Sequence, residues 1–225
     1  MEDEQRIDAL ESGFVEVLDD DLKGAILELG ETTLDEAIGS GALASIPLLG
    51  LIVGVGKTAI NVHNRNLFMQ TLAFLKAFYS GEIDEVALRK HRKKLDNDPK
   101  QREKEIGFVL TLINRNIQAS RSEMQGNLYR AYLNRAFGWD DFVDLSEAAG
   151  SCVISDLELL RDVHNGFVEI SDKGNGYRVE RLAGLGLIQR SMKRMVPSGN
   201  GTRTDYFLAV SPFGEQFCRY ALGLG

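Results

Sequence analysis

The stretch that most resembles chemistry is Gly50-Leu51-Ile52-Val53-Gly54-Val55-Gly56-Lys57-Thr58. A phosphate-binding loop needs a glycine, four residues and then Gly-Lys-Thr. Backbone N–H groups then cradle the phosphates, and the lysine reaches the terminal ones. Counting back from Lys57 puts the first glycine at position 51, which is leucine. No strand signal precedes the stretch and no parallel-sheet pattern follows it. His63, His91 and His164 have no Cys, Asp, Glu or His one helical turn away to complete a metal set. Asp140 and Asp141 are adjacent and point apart on a helix, so they are not a carboxylate pair. No serine is flanked as a nucleophile elbow. Cys152 and Cys218 lie among apolar neighbours, read as buried thiols. The expectation is a protein without catalytic site, metal or cofactor.

Two features could instead bind. Arg89, Lys90, Arg92, Lys93 and Lys94 form the densest positive run. It reads as a solvated helix face, as contacts to anionic headgroups at about 1 kcal/mol per basic residue, as contacts to a nucleic-acid backbone, or as a partner for the chain's own acids. Residues 37–56 are twenty residues without a charge. At about 1.5 Å per residue that length matches a bilayer core of about 30 Å. Pro47, Gly50, Val53, Gly54 and the closing Lys57 define the segment, and Gly50-x-x-x-Gly54 would let another helix pack closely. A buried hairpin in a helical core would look the same, and both readings stay open here.

The elements that must position these residues are mostly helical. The chain has 225 residues, 44% of them apolar, and a net charge of -7. Thirteen acidic and two basic side chains fall in residues 1–40, so the acidity belongs to the N-terminal arm. That arm, residues 1–33, carries Ile7, Leu10, Phe14 and Val17 at helical spacing, with Gly13 and Gly24 weakening it. Residues 34–150 read as a bundle. Thr33 caps a short helix, and a long one runs from Ser45 or Ile46 to Phe78. A basic one covers 83–95, and Asp98-Pro99 opens another with Ile106, Val109, Leu110, Ile113 and Ile117 in one stripe. Ser120 and Ser155 are the next caps. In residues 151–225 the pattern changes: a strand over 167–171, a helix from Tyr177, strands from Leu187 and Tyr206, and a helix capped by Ser211. The fold class expected is mainly α, a helical bundle followed by a truncated winged-helix-like α+β module. Leu182, Leu185, Leu187, Ile188, Phe207 and Phe217 should form the module's core.

The stretch Arg181-Leu182-Ala183-Gly184-Leu185-Gly186-Leu187-Ile188-Gln189-Arg190, with Tyr206, Leu208, Ser211 and Gly214 behind it, resembles the end of bacterial winged-helix domains. That resemblance implies a fold and says little of the ligand. The usual middle helix has almost no room before Tyr177. Arg178, Arg181, Arg190, Lys193, Arg194 and Arg203 are the module's candidates for phosphate contacts. The central part resembles the abortive infection alpha family through Ile46, Pro47, Gly50, Gly54, Lys57, Arg65, Phe74 and Leu75. This second resemblance implies a role in phage defence and no reaction. The reading is a non-enzymatic effector whose apolar segment associates with membrane when triggered. The alternative is a winged-helix regulator or adaptor that binds nucleic acid or a protein. A protein partner or self-association is expected, with anionic membrane and weak nucleic-acid binding as further partners. The opening Met-Glu-Asp-Glu is unlike a signal peptide, so a cytoplasmic place with recruitment to the inner membrane is expected.

Overall fold

The structure, a computed structural model, describes residues 2–29, 36, 45–54, 62–166, 176–198 and 201–225, without the side chains of 2, 3, 20 and 191–207. These residues form two compact units, 1–146 and 147–225. The chain is mainly helical, with a small two-stranded sheet near its C-terminal end.

The first unit holds α1 (Glu2–Val17), a 3-10 turn (Asp20–Leu22), α2 (Lys23–Leu29), α3 (Pro47–Val53), α4 (Val62–Tyr79), α5 (Glu85–Asn97), α6 (Pro99–Arg115) and α7 (Ala119–Leu133). The helix α8 (Trp139–Ser151) carries the chain into the second unit. Proline at the first position opens α3, because the N–H it lacks would be unpaired there anyway. Gly54 ends it at φ 79°, a conformation that costs glycine little. The long helix expected up to Phe78 is thus two helices. Lys57 and residues 55–61 lie outside the described residues, as do Thr33 and its expected cap.

Asp84 opens α5 by accepting from the Val86 and Ala87 N–H groups, each at 3.0 Å. Asp98 does the same for α6, accepting from Gln101 at 3.1 Å, as expected. Ile106, Val109 and Ile113 face the core. Ile117 does not: it is 83% exposed, because α6 stops at Arg115 and helical spacing no longer governs it. Ser120 is not a cap either. The cap position lies two residues earlier, at Gln118, and Ser122 turns inward. There it bonds to Asn116 and Gln70 at 2.9 and 2.8 Å, in a buried polar network that Gln125 completes.

The core is aromatic. Phe14, Phe74, Phe78, Tyr129 and Phe142 are buried and meet at ring separations of 5.5–6.4 Å, for example Phe14 with Phe74 and Tyr129 with Phe142. Gly126 lets α7 approach α4 so closely that a methyl group would strike the Phe74 carbonyl. At Gly13, where α1 passes over α3, the approach is looser: a methyl would stand 3.4 Å from Leu48 Cα, an ordinary contact, and 3.1 Å from the movable end of Leu51. Phe14, Val15, Val17 and Leu18 are buried, so the arm forms part of this unit's core.

The second unit holds a 3-10 turn (Ile154–Asp156), α9 (Leu157–His164), α10 (Gly176–Gly184), β1 (Ile188–Ser198), β2 (Gly201–Val210) and α11 (Pro212–Tyr220). The strands pair antiparallel from Ile188↔Val210 to Ser198↔Gly201, with a bulge between Met192 and Arg194. Ser211 caps α11 as expected, accepting from the Gly214 N–H at 2.8 Å. Ser155 caps nothing; α9 follows Asp156, whose carboxylate is engaged elsewhere. Leu182, Leu187, Ile188 and Phe217 are buried, and Leu185 is half-buried. The expected strand over 167–171 and the Phe207 side chain lie outside the described residues. Cys152 and Cys218 are buried thiols, not joined in a disulfide. Burial and the nearby Glu215 push the Cys218 thiol up to about 12, which keeps it protonated and inert.

Candidate functional site

The positive run divides once folded. Arg89 turns to Glu85 one turn back, at 3.5 Å and in water. Arg92 is ion-paired with Asp19, so the acidic arm does meet the basic helix at that point. Lys90, Lys93 and Lys94 remain, and they line a cavity of about 460 Å³. Its other walls are Ala87, His91, Asn97, Tyr132, Leu133 and Arg135. Arg135 comes from the turn after α7, where its N–H bonds the Tyr132 carbonyl at 2.9 Å. It adopts φ 62°, and among the described residues it is the only non-glycine with positive φ. That turn position normally belongs to glycine or asparagine.

Behind the cavity lies Glu105, whose carboxylate is wholly buried. His91 Nε2 sits 2.5 Å from its Oε1, the Tyr129 hydroxyl donates to the same oxygen at 3.0 Å, and Gln101 donates to Oε2 at 3.2 Å. Tyr132 is hydrogen-bonded to it as well. Burial first, then the neighbouring carboxylate, raises both tyrosine hydroxyls above their ordinary range, so they stay protonated donors. An imidazole held by a carboxylate can relay a proton. Its lining holds no hydroxyl of Ser or Thr and no thiol, and its polar groups are three lysines, His91, Asn97, Tyr132 and Arg135. Among the described residues no group of His, Cys, Asp and Glu could hold a metal. What the arrangement offers is a set of donors and positive charges, which suits binding.

The apolar segment is packed where it is described. Leu48, Leu49, Gly50, Ile52 and Val53 are buried and Pro47 is exposed, with α1 lying against α3. Among the described residues no helix is long and apolar enough to cross a membrane. The seven residues of α3 rise only about 10 Å against a bilayer core of about 30 Å.

In the second unit Arg181 grips the buried Asp156 with two bonds of 2.7 Å, its guanidinium also lying 4.8 Å from the Tyr177 ring centre. Arg178 reaches the same carboxylate at 3.1 Å. Arg190 is paired with Glu180. These three guanidinium groups are therefore engaged inside the unit. The side chains of Lys193, Arg194 and Arg203 lie outside the described ones. The Arg181 hydrogen bonds, helped by Arg178, hold the Asp156 carboxyl below the usual range against the opposing effect of burial. Its folded value lies below the unfolded one. The stabilisation is therefore complete above the unfolded value of about 4 and is lost as pH falls through the folded value. Acid titration of Asp156→Asn should thus show a shallower loss of second-unit structure below about pH 4 than the parent. Identical acid limbs, followed by amide exchange of α10, would show that Asp156 is not the acid-sensitive group.

Sequence reading missed Glu105, Gln101, Tyr129, Tyr132, Arg135 and Asp156. Glu105, Tyr129, Tyr132 and Asp156 work through partners 14 to 27 residues away, of which the composition of their own helices gives no sign. One signal was available: Glu105 sits one turn before Val109 and two before Ile113, on the side expected to be buried. No protein-family model, no curated protein and no solved structure matches this chain.

Proposed function

We propose that this chain is a non-enzymatic effector of the abortive-infection type, which keeps its Gly-rich segment folded inside the helical unit at rest. The observation that carries the reading is the placement of α3: Ile46, Leu48, Leu49 and Ile52 are wholly buried, and Gly13 of the acidic arm lies directly over Leu48. The Asp19–Arg92 pair adds a charged tie between the arm and α5. A trigger that lifts the arm would free an apolar surface for membrane association or for contact with a second copy. The loose likeness to abortive infection alpha proteins gives the reading its biological direction.

The test is fractionation of the expressed chain, with and without phage challenge, next to a growth measurement. The parent is expected to move to the membrane fraction and arrest growth only on challenge. A charge at the centre of a bilayer costs about 2.5–3.5 kcal/mol, so Val53→Arg should abolish both effects. Gly54→Leu should impair assembly more than association, although its φ of 79° also strains any side chain there. A parent that neither moves nor harms challenged cells ends the effector reading. The second reading, an adaptor, would then stand. What favours a protein partner for it over nucleic acid is the engagement of Arg178, Arg181 and Arg190 within their own unit.

A further inference from the structure

We infer that the cavity between α5 and α7 is a binding site for a compact ligand carrying several phosphate groups, held by Lys90, Lys93, Lys94 and Arg135. The inference does not depend on the effector reading. Four cations from two elements converge on one space of about 460 Å³, and no carboxylate lines it. The acids of this region are committed elsewhere: Glu85 faces Arg89, Asp19 faces Arg92, and Glu105 is closed off behind His91 and the tyrosines. Helix ends do not account for this much charge. Two C-terminal dipoles present roughly −0.5 of an elementary charge each, which leaves four side-chain cations largely uncompensated. Asn97 is turned away, donating to the Lys93 carbonyl at 2.7 Å, so the ammonium groups set the character of the site.

Arg135 supplies the second observation. A glycine or asparagine would hold the φ of 62° with less strain, yet a long cationic side chain stands there, on the cavity wall. Such strain is accounted for if the guanidinium grips an anion, because its fork matches two phosphate oxygens at once. The cavity volume falls within the range of small-molecule sites, about 300–1,000 Å³. Ala87, Leu133 and the Tyr132 ring give one apolar wall beside the charges. Lys90, Lys93 and Lys94 share one face of α5, and Arg135 closes the recess from a second element, an enclosure that suits a discrete polyphosphate better than a flat lipid surface.

The experiment is calorimetric titration of the full chain with inorganic tripolyphosphate and with ATP, at two salt concentrations. One-site binding that weakens as salt rises is expected. Lys90→Glu with Lys93→Glu should abolish it. Lys104→Glu with Arg219→Glu, the same change in net charge placed elsewhere, should leave it within about twofold. Arg135→Gly should weaken binding about tenfold, the loss of one charged hydrogen bond, while its melting temperature holds or rises because strain is relieved. That opposite sign separates a ligand contact from a structural one, and Arg135→Gly remains informative should the double charge reversal fail to fold. A lipid headgroup shares the phosphate chemistry, so sedimentation with phosphatidylglycerol vesicles forms the second arm. Pocket-dependent vesicle binding without tripolyphosphate binding would overturn the inference. So would the absence of binding to either probe, or equal losses in the pocket and control variants.

Discussion

Glu105→Ala is expected to lower the stability of the first unit by about 3–5 kcal/mol, since one buried carboxyl that accepts several hydrogen bonds is lost at once. The carboxylate is wholly enclosed and serves His91, Tyr129, Tyr132 and Gln101 together. Its loss leaves several buried donors without an acceptor, each costing about 1–3 kcal/mol, and opens a void among α5, α6 and α7. Urea unfolding followed by circular dichroism measures the change, and hydrogen exchange assigns it to this unit. Glu105→Gln should lose less, because the amide keeps one acceptor oxygen. Because replacing both partners of a buried hydrogen bond by apolar groups can be nearly neutral, Glu105→Leu with His91→Leu should recover part of the loss. A double-mutant cycle through those variants would then show coupling well beyond additivity. Additive losses would mean that Glu105 and His91 do not act as a pair, and that the cavity floor is held by packing alone.

That dependence on distant partners explains what the sequence disclosed. Helix starts written in neighbouring residues were legible: Asp98 with Pro99 and Ser211 with Pro212 cap as their types dictate. So were Ile106, Val109 and Ile113 on the inner face of α6 and the turn from α10 into β1. Ser120 and Ser155 carry the same local signal and cap nothing, because Ser122 and Asp156 found better partners in the folded interior. The join at Gly54 was hidden by composition. Apolar spacing continues on both sides of it, and only a positive φ shows that the helix stops. The basic run was visible as charge, but its use was not. Which lysines face a cavity depends on the partners of Arg89 and Arg92, one in the same helix and one 73 residues away. Gly126 belongs to the same class. A glycine in a helix reads as weakness until the backbone it admits is known.

In the second unit, Leu187→Ala and Gly214→Ala are expected to fail from opposite errors of volume at one place. Leu187 is wholly buried beside Leu182 and Phe217. Its N–H bonds the Leu182 carbonyl, and its own carbonyl accepts from Ser211, each at 3.0 Å, so it ties α10 to the start of α11. Truncation to alanine removes apolar contacts and leaves a cavity that this braced backbone cannot close, costing about 2–5 kcal/mol. Gly214 lies directly against the Leu187 carbonyl, and a methyl group would overlap backbone atoms rather than a flexible side-chain end. Gly214→Ala should therefore cost about 1–3 kcal/mol by overpacking, with α11 displaced. Thermal melting with exchange protection on α10 and α11 measures both. Restoring volume does not help one defect cure the other, since the carbonyl that Gly214 accommodates belongs to the backbone and stays in place in Leu187→Ala. The double variant should then be at least as unstable as either single one. Melting of Leu187→Ala like the parent would remove Leu187 from the core, and with it the register that joins the helix, the two strands and the closing helix into one module.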